Sequence, residues 1–178
     1  GQILKSSGFW LVSLLCVLYY SAIFPFQKYA VNMLQCNLTF EPVPEGSFWA
    51  STSVTIIQYV IMLVVAATAF MFNFIKNKPA KYATMALSIL FLVGYCYMGY
   101  MRQSAESIFA VFPLLAVGIT PILGNYVDHK GKAASMLVLG SLLLIACHLT
   151  FAFVLPEFKG NQVGGVIVAY LTILVLGA

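Results

Sequence analysis

Six stretches of this chain contain no charged side chain, at 6–27, 46–75, 82–101, 107–127, 133–156 and 160–178. About 20 apolar residues rising ~1.5 Å each cross the ~30 Å hydrocarbon core of a bilayer, and every run reaches or approaches that length. The composition agrees, with 62% apolar and 8% charged residues where a soluble domain carries about a quarter charged. A soluble globular enzyme is excluded. The runs are continuous rather than the ~10-residue alternation of an outer-membrane barrel, and a spanning backbone must satisfy its own hydrogen bonds. The sequence therefore predicts an all-α, polytopic transmembrane helical bundle of about six spanning helices, over 6–27, 50–75, 82–101, 107–127, 133–156 and 163–178.

Lys and Arg accumulate in short cytoplasmic loops, so their distribution orients the bundle. With a cytoplasmic N-terminus that side holds Lys5, Lys76, Lys78, Lys81, Lys130 and Lys132, and the other side holds only Lys28, Arg102 and Lys159. Glu41, Glu45, Glu106 and Glu157 then fall outside, and Asp128 stands alone among the cytoplasmic lysines. The connections are short except for the first outer one, Lys28 to Glu45, which contains Pro42 and Pro44 and reads as irregular. Short loops without a long outer domain point to a bacterial inner membrane. The first apolar run is too long for a signal-peptide h-region. The chain starts without Met and stops at Ala178 inside an apolar run, so the sequence reads as a fragment of a longer protein.

The net charge of +4 sits in the connections rather than in a patch, so nucleic acid is not an expected partner. Cys16, Cys36, Cys96 and Cys147 form no CxxC or Cys/His ligand spacing, and no metal or cofactor is expected. No HExxH, no GxSxG and no paired intramembrane acids are present, so no enzymatic activity is expected either. Asn37-Leu38-Thr39 is a glycosylation sequon, meaningful only in a eukaryotic secretory setting.

The most informative segment joins the fourth and fifth runs: Gly124-Asn125-Tyr126-Val127-Asp128-His129-Lys130-Gly131-Lys132. It resembles the cytoplasmic signature of the major facilitator superfamily, G-x-x-x-D-[RK]-x-G-[RK]. Gly124, Asp128, Gly131 and Lys132 match, while His129 stands where the family has Arg or Lys. Small residues such as Gly124 let a neighbouring helix approach in a membrane, and Gly131 permits a tight turn with positive φ. The resemblance implies that Asp128 sits near the positive N-terminal end of a helix of the same half and pairs with basic side chains, with Lys132 at headgroup level. Such a charge latch would hold one arrangement of two halves and release in the other. A plain cytoplasmic turn with a solvated Asp is the competing interpretation. Pro113, Gly118 and Pro121 in the fourth run are breakers tolerated in transporter helices that bend.

The first run, around Phe9 to Phe26, resembles the seventh helix of a branch that includes lysosomal dipeptide carriers, and Leu149 to Phe153 beside His148 is similar to the ninth. The resemblance places the chain in the C-terminal half of a transporter. A standard half puts the signature after two helices, whereas here it follows four, so 46–101 reads as an inserted helical hairpin. The run at 163–178 would then be the tenth helix, cut short.

The resemblance also implies that the first helix lines the central cavity. Tyr19, Tyr20, Gln27 and Lys28 are its substrate-cavity candidates, with Tyr19 and Tyr20 about 100° apart around the helix. Aromatic packing explains the tyrosines equally, and snorkelling to headgroups explains Lys28. His148 is a possible buried polar contact, expected as a neutral imidazole bonded to a neighbouring helix, with proton handling second. Gln58, Asn73 and Tyr170 read as polar glue between helices. No carboxylate lies inside a span, so coupling residues reside elsewhere or transport is uniport. The expected partners are a small-molecule solute, the lipid bilayer and the remainder of the same chain. The resulting expectation is a secondary transporter of a small organic solute, dipeptides or amino acids by branch, working by alternating access. The alternative is a non-transporting polytopic scaffold or assembly partner.

Overall fold

The computed structural model describes residues 3–131 and 133–177, and among them all regular structure is helical. The long elements are α1 (Ser7–Asn37), α2 (Thr52–Met71), α3 (Lys78–Met101), α4 (Ala105–Phe109), α5 (Leu114–Lys130), α6 (Ala133–Leu149) and α7 (Gln162–Leu176). α6 runs on through a wide π turn, Thr150–Val154, and a 3-10 turn, Leu155–Phe158. Four helical segments are long and apolar enough to cross a membrane: Ser7–Asn37, Thr52–Met71, Lys78–Met101 and Ala133–Phe158. Their large apolar side chains point outward, Leu63 being 71% and Phe153 69% exposed. An apolar exterior of this kind needs lipid rather than water around it, and the chain is an integral membrane protein.

Two of the six expected spans depart from the pattern. The run at 107–127 is not one helix: α4 ends at Phe109, and α5 starts only at Leu114. The cause is Pro113, which has no N–H to give residue 109 and whose ring would strike that carbonyl. α5 has 17 residues, about 25 Å at 1.5 Å per residue, short of a full crossing. The last run forms the 15-residue α7. A similar constraint acts at Pro156, whose ring would meet the carbonyl of residue 152 in an unbroken helix. The wide turn just upstream absorbs it.

α1 is longer than the first charge-free run. It passes Pro25 and Lys28 and ends at Asn37, so the irregular outer connection shrinks by about ten residues. Phe26, Ala30, Leu34 and Leu38 recur every four residues and are all buried, which continues one apolar face past the lysine. A charge ends an apolar run but does not end a helix.

Three helix N-termini carry side-chain caps. Ser51, Ser104 and Asn161 accept from the backbone N–H three residues on, at 3.4, 3.2 and 3.1 Å. α2 and α3 form an antiparallel hairpin: Ser88 Oγ donates to Thr68 Oγ1 (2.6 Å) near one end, and Arg102 Nη1 donates to Gln58 Oε1 (2.6 Å) near the other.

The core lies towards one end of the bundle, where the second half of α1, α4, the end of α6 and α7 converge. Leu34, Ile108, Leu155 and Ile173 are fully buried there. Phe26 is the centre of an adjoining aromatic cluster, with ring centroids 5.2 Å from Phe151, 6.1 Å from Phe109 and 5.7 Å from His148. Gln103, in the left-handed region (φ 51°), turns the chain from α3 into α4. Its carboxamide oxygen accepts from Glu41 N (3.4 Å) and from Gln162 Nε2, tying the first connection to the start of α7.

Glycine permits a close approach between α3 and α7. A Cβ on Gly99 of α3 would fall on the Tyr170 hydroxyl of α7 and lie 3.3 Å from Ser107 Cβ. Gly99→Ala is therefore expected to lower stability by about 1–3 kcal/mol in thermal unfolding of the detergent-solubilised protein. Adding Tyr170→Phe, which removes the clashing oxygen, should restore most of that loss.

Candidate functional site

A cavity of about 520 Å³ opens between α1, α5, α6 and α7. Its lining is apolar, with Ile23, Leu123, Leu144 and Val175 among its walls, and Tyr19 supplies a polar group where α1 meets α6. The Tyr19 hydroxyl donates to the Leu137 carbonyl (2.9 Å) and lies 2.7 Å from Ser141 Oγ, which also reaches that carbonyl at 2.8 Å. Gly140 makes room for the contact, since a Cβ there would stand 3.2 Å from the Tyr19 oxygen. The sequence reading missed Gly140 and Ser141. A small-residue pair in a leucine-rich run was the available signal, because such pairs mark close helix contacts in membranes.

The other α1 candidates separate. Tyr20 borders the same cavity but is 57% exposed and stacks on Phe24, with centroids 5.1 Å apart. Gln27 and Lys28 are exposed and lie outside the lining. Lys28 stands within α1 rather than beyond its end, about 32 Å along from Ser7, which suits a headgroup-level ammonium.

His148 is half-buried against Phe26, and its Nδ1 lies 2.8 Å from the Leu144 carbonyl of its own helix. The expectation of a bond to a neighbouring helix is thus corrected. The hydrogen bond goes to the i−4 carbonyl, and the ring of Phe26 faces the imidazole across the interface. With a carbonyl as acceptor, the proton is assigned to Nδ1.

The signature segment spans the end of α5. Gly131 caps that helix in the left-handed conformation (φ 65°), and its N–H donates to the Val127 carbonyl at 2.7 Å. Asp128 is exposed in the last turn of α5, at the negative end of the dipole of its own helix. His129 and Lys130 beside it are favourably placed at that end. Among the described residues nothing lies within 4 Å of a Cβ built on Gly124, whereas close approaches are made at Gly99 and Gly140. Lys132 lies outside the described residues. Among the described residues no cluster of three His, Cys, Asp or Glu is placed to hold a metal ion.

The chain matches no described protein family, no curated protein and no solved structure.

Interhelical hydrogen bonds in membranes contribute about 0.6 kcal/mol on average, with a maximum near 1.7. Tyr19→Phe is expected to lower stability within that range. A double-mutant cycle with Ser141→Ala should give a coupling of similar size, read from thermal unfolding.

Proposed function

We propose that this chain is part of a secondary transporter of major facilitator type that moves a small organic solute across a bacterial inner membrane by alternating access. The observation that carries the reading is the α5–α6 connection. Gly131 of the signature closes α5 in the left-handed conformation, and the exposed carboxylate of Asp128 stands one turn before it. The lysine distribution independently supports a cytoplasmic position for that turn. The interruption between α4 and α5 supports a bundle whose helices are built in pieces, as in transporters that bend about a midplane site. The α2–α3 hairpin at 46–101 is then an insertion of even span number, which leaves the topology of the flanking helices unchanged.

Dipeptides or amino acids are the substrate class implied by the branch resemblance. The walls contributed by α1, α5, α6 and α7 are almost wholly apolar, so the charged partners of a zwitterion in that cavity would come from the remainder of the transporter. A second reading, a non-transporting membrane scaffold, is favoured by the same apolar lining and by the engagement of Tyr19 with Leu137 and Ser141.

Uptake by proteoliposomes of the full-length protein, offered a pooled dipeptide and amino-acid library, separates the two. Transport predicts saturable accumulation that Asp128→Ala reduces by about fivefold or more, the size of a typical coupling free energy between conformations. A correctly folded protein that accumulates nothing from the pool would instead support the scaffold.

A further inference from the structure

A separate, polar pocket of about 170 Å³ lies between the hairpin and α4. Its walls include Gln58, Tyr59, Tyr95, Arg102, Glu106 and Ser107. Gln58 is 4% exposed, and its amide orientation follows from its neighbour: Arg102 Nη1 donates to Oε1 at 2.6 Å. The Nε2 donors therefore point elsewhere, and among the described residues that buried nitrogen has no hydrogen-bond partner. The Tyr170 hydroxyl is orphaned in the same way. Both flank Ser107: its Oγ is 3.5 Å from Gln58 Oε1, and its Cβ and the Tyr170 hydroxyl both crowd the position of a Gly99 Cβ.

A buried unsatisfied donor costs about 1–3 kcal/mol, so its presence beside a cavity indicates something that accepts from it. A water molecule occupies ~30 Å³, so this pocket has room for five or so waters, yet it is smaller than the ~300 Å³ of ordinary drug-sized sites. Arg102 presents a planar fork of five N–H donors, one of which goes to Gln58. The Glu106 carboxylate lines the same pocket, and its Oε2 accepts from Ser104 Oγ at 2.9 Å rather than from the arginine. One pocket thus has a cation, Arg102, and an anion, Glu106, in its lining, with Gln58 holding the guanidinium from beneath.

We propose that this pocket binds a small zwitterion of amino-acid size, with its carboxylate on Arg102, which Gln58 positions, and its ammonium on Glu106. The site is separate from the α1/α6/α7 cavity and does not depend on the transport reading.

The test is saturation-transfer NMR on the purified, detergent-solubilised full chain with L-alanine, acetate and ethylammonium as probes. L-Alanine should give a saturable signal and bind more tightly than either single-charge probe. Gln58→Leu and Arg102→Gln should each weaken it at least tenfold. Glu106 is exposed, so Glu106→Gln is expected to fold normally, and it should weaken alanine while leaving acetate unchanged. Circular dichroism and gel filtration confirm that each variant compared is folded. Absence of saturable transfer to L-alanine would overturn the proposal and leave ordered water as the occupant. Acetate binding as tightly as alanine, or alanine indifferent to Glu106→Gln, would overturn the zwitterion assignment.

Discussion

Within hydrocarbon a backbone N–H or C=O has no water to fall back on, and the architecture follows from that constraint. Each long segment closes its hydrogen bonds within itself, so helices are obligatory wherever the chain is apolar for long enough. Because lipid is as apolar as leucine, burial supplies little drive to bring those helices together. The contacts between them are correspondingly sparse and specific: Tyr19 with Leu137 and Ser141, Ser88 with Thr68, Arg102 with Gln58, and the glycine contact between Gly99 and Tyr170.

Proline decides where the regular pattern yields. Pro113 ends α4 at Phe109 and frees that short helix to pack into the middle of the core, with Ile108 fully buried between α1 and α7. α4 is in turn what brings Glu106 and Ser107 to the Gln58–Arg102 pair. A single missing N–H thus creates both the best-packed region and the polar pocket beside it. By contrast, α1 passes Pro25 without ending, because Phe26, Ala30 and Leu34 continue a buried face on the far side.

Much of the fold was legible in the sequence, and the site much less so. Charge-free runs located every long helix, since the energy of placing charge in hydrocarbon is large and local. They misjudged the end of α1, where a helix leaves the core and its lysine meets headgroups at little cost. They also missed the break in 107–127, although Pro113 was in view, because apolarity alone does not distinguish a helix from a packed turn. A tight turn with positive φ at Gly131 was anticipated from the residue type, since glycine enters that region without strain. The partner of His148 was not, because the choice between an i−4 carbonyl and a neighbouring helix depends on what that neighbour presents, here the ring of Phe26.

By itself the sequence determined that this is an all-helical membrane protein, because the cost of exposing backbone to lipid depends on composition and run length alone. Tertiary structure decided which polar side chains matter. Gln58 and Arg102 lie 44 residues apart, and Tyr19 and Ser141 lie 122 apart. Only the helix packing brings the members of each pair within bonding distance, in surroundings where an unmet donor is costly.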